Sequence, residues 1–229
     1  MNNAIINLKS ILKNFKKDPP NALLQSYPLT NSKEGSFILI IILALLTGIS
    51  NILNQKYLPI TIANYIDKHL FNSGGYIGSE FANNYSPDIL KYFILGIFLF
   101  LLVLLICATI TYAVRTSFFK TKENFISIVK ATSIIFIPVI TVLLLSNILV
   151  IFSLEIYIIF FFLSIMTFLV YFYQHLCNMA VEYSNKACFI CSISLIIIMF
   201  VIGKININTD IINALTSIFQ NIFKGFVGL

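Results

Sequence analysis

Five apolar runs divide the chain: Ser36–Leu53, Tyr92–Val114, Ala131–Phe152, Ile156–Tyr173 and Ala187–Gly203. None of them contains Asp, Glu, Lys or Arg. A bilayer core is about 30 Å thick, and a helix needs roughly 17–25 apolar residues to cross it. Within that core each backbone amide must be satisfied inside a helix or a closed barrel. The runs show no alternation of apolar and polar positions, which excludes the barrel. The pattern therefore predicts an all-α integral membrane protein, a five-span helical bundle over residues 36–203.

The segments outside the runs carry their own pattern. Ile5, Leu8, Ile11, Leu12 and Phe15 interleave with Lys9, Lys13, Lys16 and Lys17, a helical spacing that sorts apolar and basic groups onto opposite faces. Residues 1–35 are thus expected to form a cytoplasmic basic amphipathic segment able to lie on anionic lipid, ended by Pro19-Pro20. Residues 54–90 form the expected outer loop, with a helix-compatible stretch Ile60–Phe71 after Pro59 and a break at Gly74-Gly75. Residues 204–229 repeat Ile211, Leu215, Ile218, Ile222 and Phe226 at helical spacing, which predicts a second interfacial helix. A sixth span over 208–229 is the competing reading. Ser153-Leu154-Glu155 breaks what would otherwise be a single overlong helix, so spans three and four are expected to form a tight antiparallel hairpin. Pro138 removes one backbone donor early in span three, where a kink is expected.

Composition strengthens the membrane reading. Apolar residues make up 59% of the chain and charged residues only 10%, against about 25% charge in ordinary soluble domains. The net charge of +6 reports topology and lipid contact here, and nucleic acid is not an expected partner. The first run begins after residue 35 and is read as a retained helix instead of a signal peptide. Ten basic residues fall on one side of the five spans and five on the other. By the positive-inside rule the amino terminus is cytoplasmic, with a bacterial plasma membrane the expected location.

Candidate chemistry inside the spans is sparse. Cys188 and Cys191 have metal-type spacing, and His175 and Cys177 lie across a short loop. The cysteine pair opens a membrane run, where small polarizable side chains pack well, so no metal and no cofactor is expected. No nucleophile, phosphate-loop or His-Glu-x-x-His motif is present, and the chain is read as non-enzymatic. Asn51, Thr109, Thr141 and Asn147 would suit either bonds between helices or a polar cavity. A cavity would favour the alternative reading, a small permease or the membrane subunit of a transporter.

Residues 114–138 read Val-Arg-Thr-Ser-Phe-Phe-Lys-Thr-Lys-Glu-Asn-Phe-Ile-Ser-Ile-Val-Lys-Ala-Thr-Ser-Ile-Ile-Phe-Ile-Pro. This stretch resembles the centre of the YIP-type (Ypt/Rab-interacting protein) domain family. There the second span ends in a basic cytoplasmic turn, an aromatic residue opens the approach to the third span, and a proline follows inside it. Lys122, Phe125 and Pro138 match that spacing, while Lys120-Thr121 stands where the family often has Gly-Gly. The resemblance implies a bacterial-like member that organises lipid or a partner protein. It points to Arg115, Lys120, Lys122 and Phe125 as a partner- or lipid-binding face, and to Pro138 as the structural kink. Membrane lipids, a protein partner or a second copy of the chain are the expected partners.

Overall fold

The computed structural model describes residues 33–71, 85–118 and 124–177, together with the helical positions Ile193 and Ile197. Those described residues are helical apart from short connections, and they form four long helices. Helix α1 spans Lys33–Ile66 and continues into a π-helical turn, Asp67–Phe71. Helix α2 spans Ile89–Phe118, α3 spans Phe125–Leu149 and α4 spans Leu154–Cys177. All four are long and apolar enough to cross a membrane. The expected fifth span, apart from Ile193 and Ile197, lies outside the described residues, as do both terminal amphipathic segments.

Local chemistry explains the helix ends. Asp88 caps α2, its carboxylate accepting from the Lys91 amide at 3.0 Å. Asn124 caps α3 in the same way, accepting from the Ile126 amide at 3.1 Å. The Leu149 carbonyl closes the turn after α3 by accepting from Phe152 and Ser153. Ser153 then starts α4: its hydroxyl accepts from the Ile156 amide and donates to the Glu155 carboxylate. The break falls where the Ser153-Leu154-Glu155 signal places it, and α4 folds back along α3.

Helix α3 is the centre of the bundle. It packs along α4 most extensively and also meets α1 and α2, whereas α1 and α4 barely touch. Phe136 ties three helices together, edge-on to Phe100 of α2 at 5.6 Å and tilted against Phe168 of α4 at 5.8 Å. Leu43, Leu104, Cys107, Ile135 and Phe172 complete the dry interior. In lipid, apolar side chains gain nothing from leaving their solvent, so close packing must supply the attraction. The α1–α2 interface shows how: Gly96 sits against Gly48, and a Cβ there would lie 2.9 Å from the Gly48 Cα and from the Thr47 carbonyl oxygen. Outward, Ile41, Ile94, Phe98, Leu105, Ile159, Phe162 and Met166 are exposed around the bundle, a surface that matches hydrocarbon and not water.

Two boundaries differ from the sequence expectation. The loop expected from Asn54 is helical as far as Phe71, with Pro59 buried inside α1. Polar residues end the hydropathy run there without ending the helix, because Asn54 and Thr61 find partners on the α3–α4 hairpin. The basic turn expected over residues 115–130 is also mostly helix, since α2 runs on to Phe118 and α3 begins at Phe125. Hydropathy marks the depth of the hydrocarbon, and helices routinely continue past it into the interface. Pro138 lies inside α3.

Candidate functional site at the basic end of the bundle

Polar side chains collect in two layers. The first lies toward the α3–α4 turn and is a clasp between helices. Asn147 of α3 donates to the Ser50 hydroxyl at 2.6 Å and to its carbonyl at 3.1 Å. Asn51 donates to the Tyr92 carbonyl of α2 at 2.7 Å. The Tyr157 hydroxyl donates to Asn54 at 3.3 Å, and Thr61 donates to the Val150 carbonyl at 2.7 Å. Each bond joins two elements, so this layer fixes the mutual register of all four helices.

These bonds also decide what the candidate transport residues do. Asn51 and Asn147 are buried and tied across helices. Thr141 is exposed and bonds its own Ile137 carbonyl, and Thr109 is exposed on α2. The four side chains therefore line no common cavity.

The second layer lies at the opposite end, where α2 finishes and α3 begins. Arg115, expected on an open face, is only 8% exposed. Lys130 is 6% exposed, its ammonium 5.6 Å from the centre of the Phe37 ring of α1. Phe125 is half-buried and meets Tyr112 of α2 edge-on at 5.6 Å. Lys120 and Lys122 lie outside the described residues. Of the expected face of Arg115, Lys120, Lys122 and Phe125, the described residues place Arg115 inward and Phe125 half-buried. Arg115 turns inward because it falls one helical turn after Thr111 and two after Cys107, on the stripe of α2 that faces the core.

His175, in the last turn of α4, is buried against α3. Its Nε2 lies 3.3 Å from the Thr132 hydroxyl. Thr111 lies fully buried on α2, one helical turn before Arg115. Thr111, Thr132 and Lys130 as buried participants were missed at the sequence level. The available signal was the i, i+4 stripe Cys107, Thr111, Arg115. Asp67, buried in the π-helical turn with neither carboxylate oxygen hydrogen-bonded, was missed for a simpler reason: it lies beyond the apolar run. Uncharged runs therefore do not mean an uncharged interior. Among the described residues no three His, Cys, Asp or Glu side chains converge as a metal site would require.

Comparison with family models, curated proteins and solved structures finds no match for this chain. Four apolar, lipid-compatible helices make it an integral membrane protein of all-α architecture.

Proposed function

We propose that this is a non-enzymatic, YIP-like membrane protein that organises anionic lipid or a partner protein through the basic end of its bundle. The observation that carries the reading is the separation of charge along the helix axes. The end where α2 finishes and α3 begins has Lys33, Arg115 and Lys130 against Glu34 among the described residues, and the sequence joining the two helices adds Lys120, Lys122 and Glu123. The opposite end sets Lys56, Lys68 and Lys91 against Asp67, Asp88 and Glu155, and the sequence joining α1 to α2 adds Glu80. A cationic end facing the cytoplasm attracts anionic headgroups, each surface Lys contributing about 1 kcal/mol. The YIP resemblance belongs to the same reading and rests on the Lys122, Phe125 and Pro138 spacing. A cytoplasmic amino terminus, a fifth span and a bacterial plasma membrane complete it.

Charge reversal tests the proposal. In lipid extracts of the purified full chain, phosphatidylglycerol should be enriched over phosphatidylcholine, and the enrichment should collapse in the Lys120→Glu/Lys122→Glu variant. Pull-down from native membranes with the same pair reads the protein partner. A double variant that keeps both lipid preference and co-purifying proteins would reject the basic end as the working surface.

A further inference from the structure

Along α1 buried positions recur every four residues, at Asn51, Gln55, Pro59 and Ala63, and Asp67 continues the series as the first residue of the π-helical turn. Asp67 is 1% exposed, and neither of its carboxylate oxygens has a hydrogen-bond partner. Aspartate is too short to carry its charge out to solvent as Lys or Arg can. Among the described residues, the basic groups at this end are directed elsewhere. The Lys56 ammonium lies 5.2 Å from the centre of the Tyr57 ring, and that of Lys91 lies 5.4 Å from the centre of the Tyr92 ring. Lys68 and His69, next in the chain, are exposed, and the His69 ring lies 4.3 Å from that of Tyr65. An ionised carboxylate only accepts, so burying it with no donor and no opposite charge is among the costliest arrangements a fold can hold. The position adds to the cost, because the carboxyl end of a helix carries partial negative charge and favours cations.

We propose that Asp67 seats a monovalent metal cation, sodium or potassium, at the carboxyl end of α1. Hard cations take oxygen ligands, and a carboxylate with backbone carbonyls or water can hold an alkali ion without a cluster of His, Cys or acidic side chains. A proton would satisfy one carboxylate oxygen and leave the other buried without a donor, whereas a metal ion engages both. One positive charge matches the single carboxylate. The other two acidic residues described at this end have separate roles, Asp88 capping α2 and Glu155 accepting from Ser153. The site lies at the end opposite the basic one and does not depend on that reading.

The test is hydrogen exchange of the purified full-length protein in sodium, potassium or N-methylglucamine chloride at equal ionic strength, with the nearly isosteric Asp67→Asn as the variant. In wild type, sodium or potassium should slow exchange over residues 63–71, by about tenfold once the ion stands at roughly ten times its Kd. The salt that slows exchange names the ion. Asp67→Asn should exchange alike in all three salts, and more slowly than wild type in N-methylglucamine, because it has no charge to compensate. Equal exchange of wild type in the three salts overturns the site, and so does an equal response of Asp67→Asn. Should the variant fail to fold, wild type alone decides: slowing confined to residues 63–71 supports the site, and slowing spread evenly over α2 and α3 rejects it. Thermal unfolding separates the proton. If mild acid stabilises wild type relative to Asp67→Asn and neither metal ion does, Asp67 holds a proton and the proposal falls.

Discussion

Asn147 and Ser50 lie 97 positions apart in the chain and share one of the shortest contacts between α1 and α3. Bonds of this kind in membranes are worth about 0.6–1.7 kcal/mol by double-mutant cycle, less than the cost of burial suggests, because the unfolded helices find other partners. A cycle of Asn147→Ala and Ser50→Ala, read by thermal unfolding in detergent, should show a coupling of about 1 kcal/mol; additive losses would mean the pair is not formed. The two asparagines were readable from sequence as bonds between helices, because an amide inside an apolar run has few other uses. Arg115 and Lys130 were not. Their place beside the apolar runs marks them as interfacial, but inward or outward depends on which stripe of α2 and α3 faces the core. A long side chain can snorkel from either position. Lys130 also covers the Phe37 ring, so Lys130→Ala should loosen the start of α1, with faster hydrogen exchange there as the readout; unchanged exchange would assign Lys130 to charge alone.

Helix α1 has 34 residues before its π-helical turn, about 50 Å at roughly 1.5 Å per residue, and so exceeds a bilayer core of about 30 Å. Its excess length carries the polar clasp to the α3–α4 turn. This explains why the existence of the four helices was legible and their ends were not: apolar runs record the lipid, whereas caps such as Asn124 and Ser153 record the helix. The α1–α2 crossing was also hidden, since Gly48 and Gly96 lie in different runs and only their packing brings them together. Gly96→Ala would press a methyl group against backbone on α1 that cannot swing aside. It should destabilise the protein by about 1–3 kcal/mol. Gly48→Ala should cost less, because its nearest contacts, at 2.7 Å, are ring atoms of the Phe93 side chain, with the Phe93 carbonyl oxygen farther off at 3.1 Å. Thermal unfolding of the two variants orders them, and equal stability of Gly96→Ala and wild type would reject the close crossing.

At the scale of the molecule, the bundle has two unlike ends joined by a dry, lipid-faced middle. One end has no excess of basic residues and is held by bonds between helices; the other concentrates Lys and Arg and buries two of them. The membrane class and the sidedness of charge could be read from sequence, because both are properties of composition along the chain. The inward turn of Arg115 and the unsatisfied Asp67 emerge only from packing. The central claim is that the two ends lie on opposite faces of a membrane, the basic one toward the cytoplasm. Side-specific maleimide labelling tests it most directly. Single cysteines would replace Lys56, Lys91, Lys120 or Lys122 in a chain whose four native cysteines are changed to Ser. In sealed right-side-out vesicles, an impermeant reagent should label positions 56 and 91 from outside, and positions 120 and 122 only after the membrane is opened. Labelling of all four positions from the same side would contradict the account.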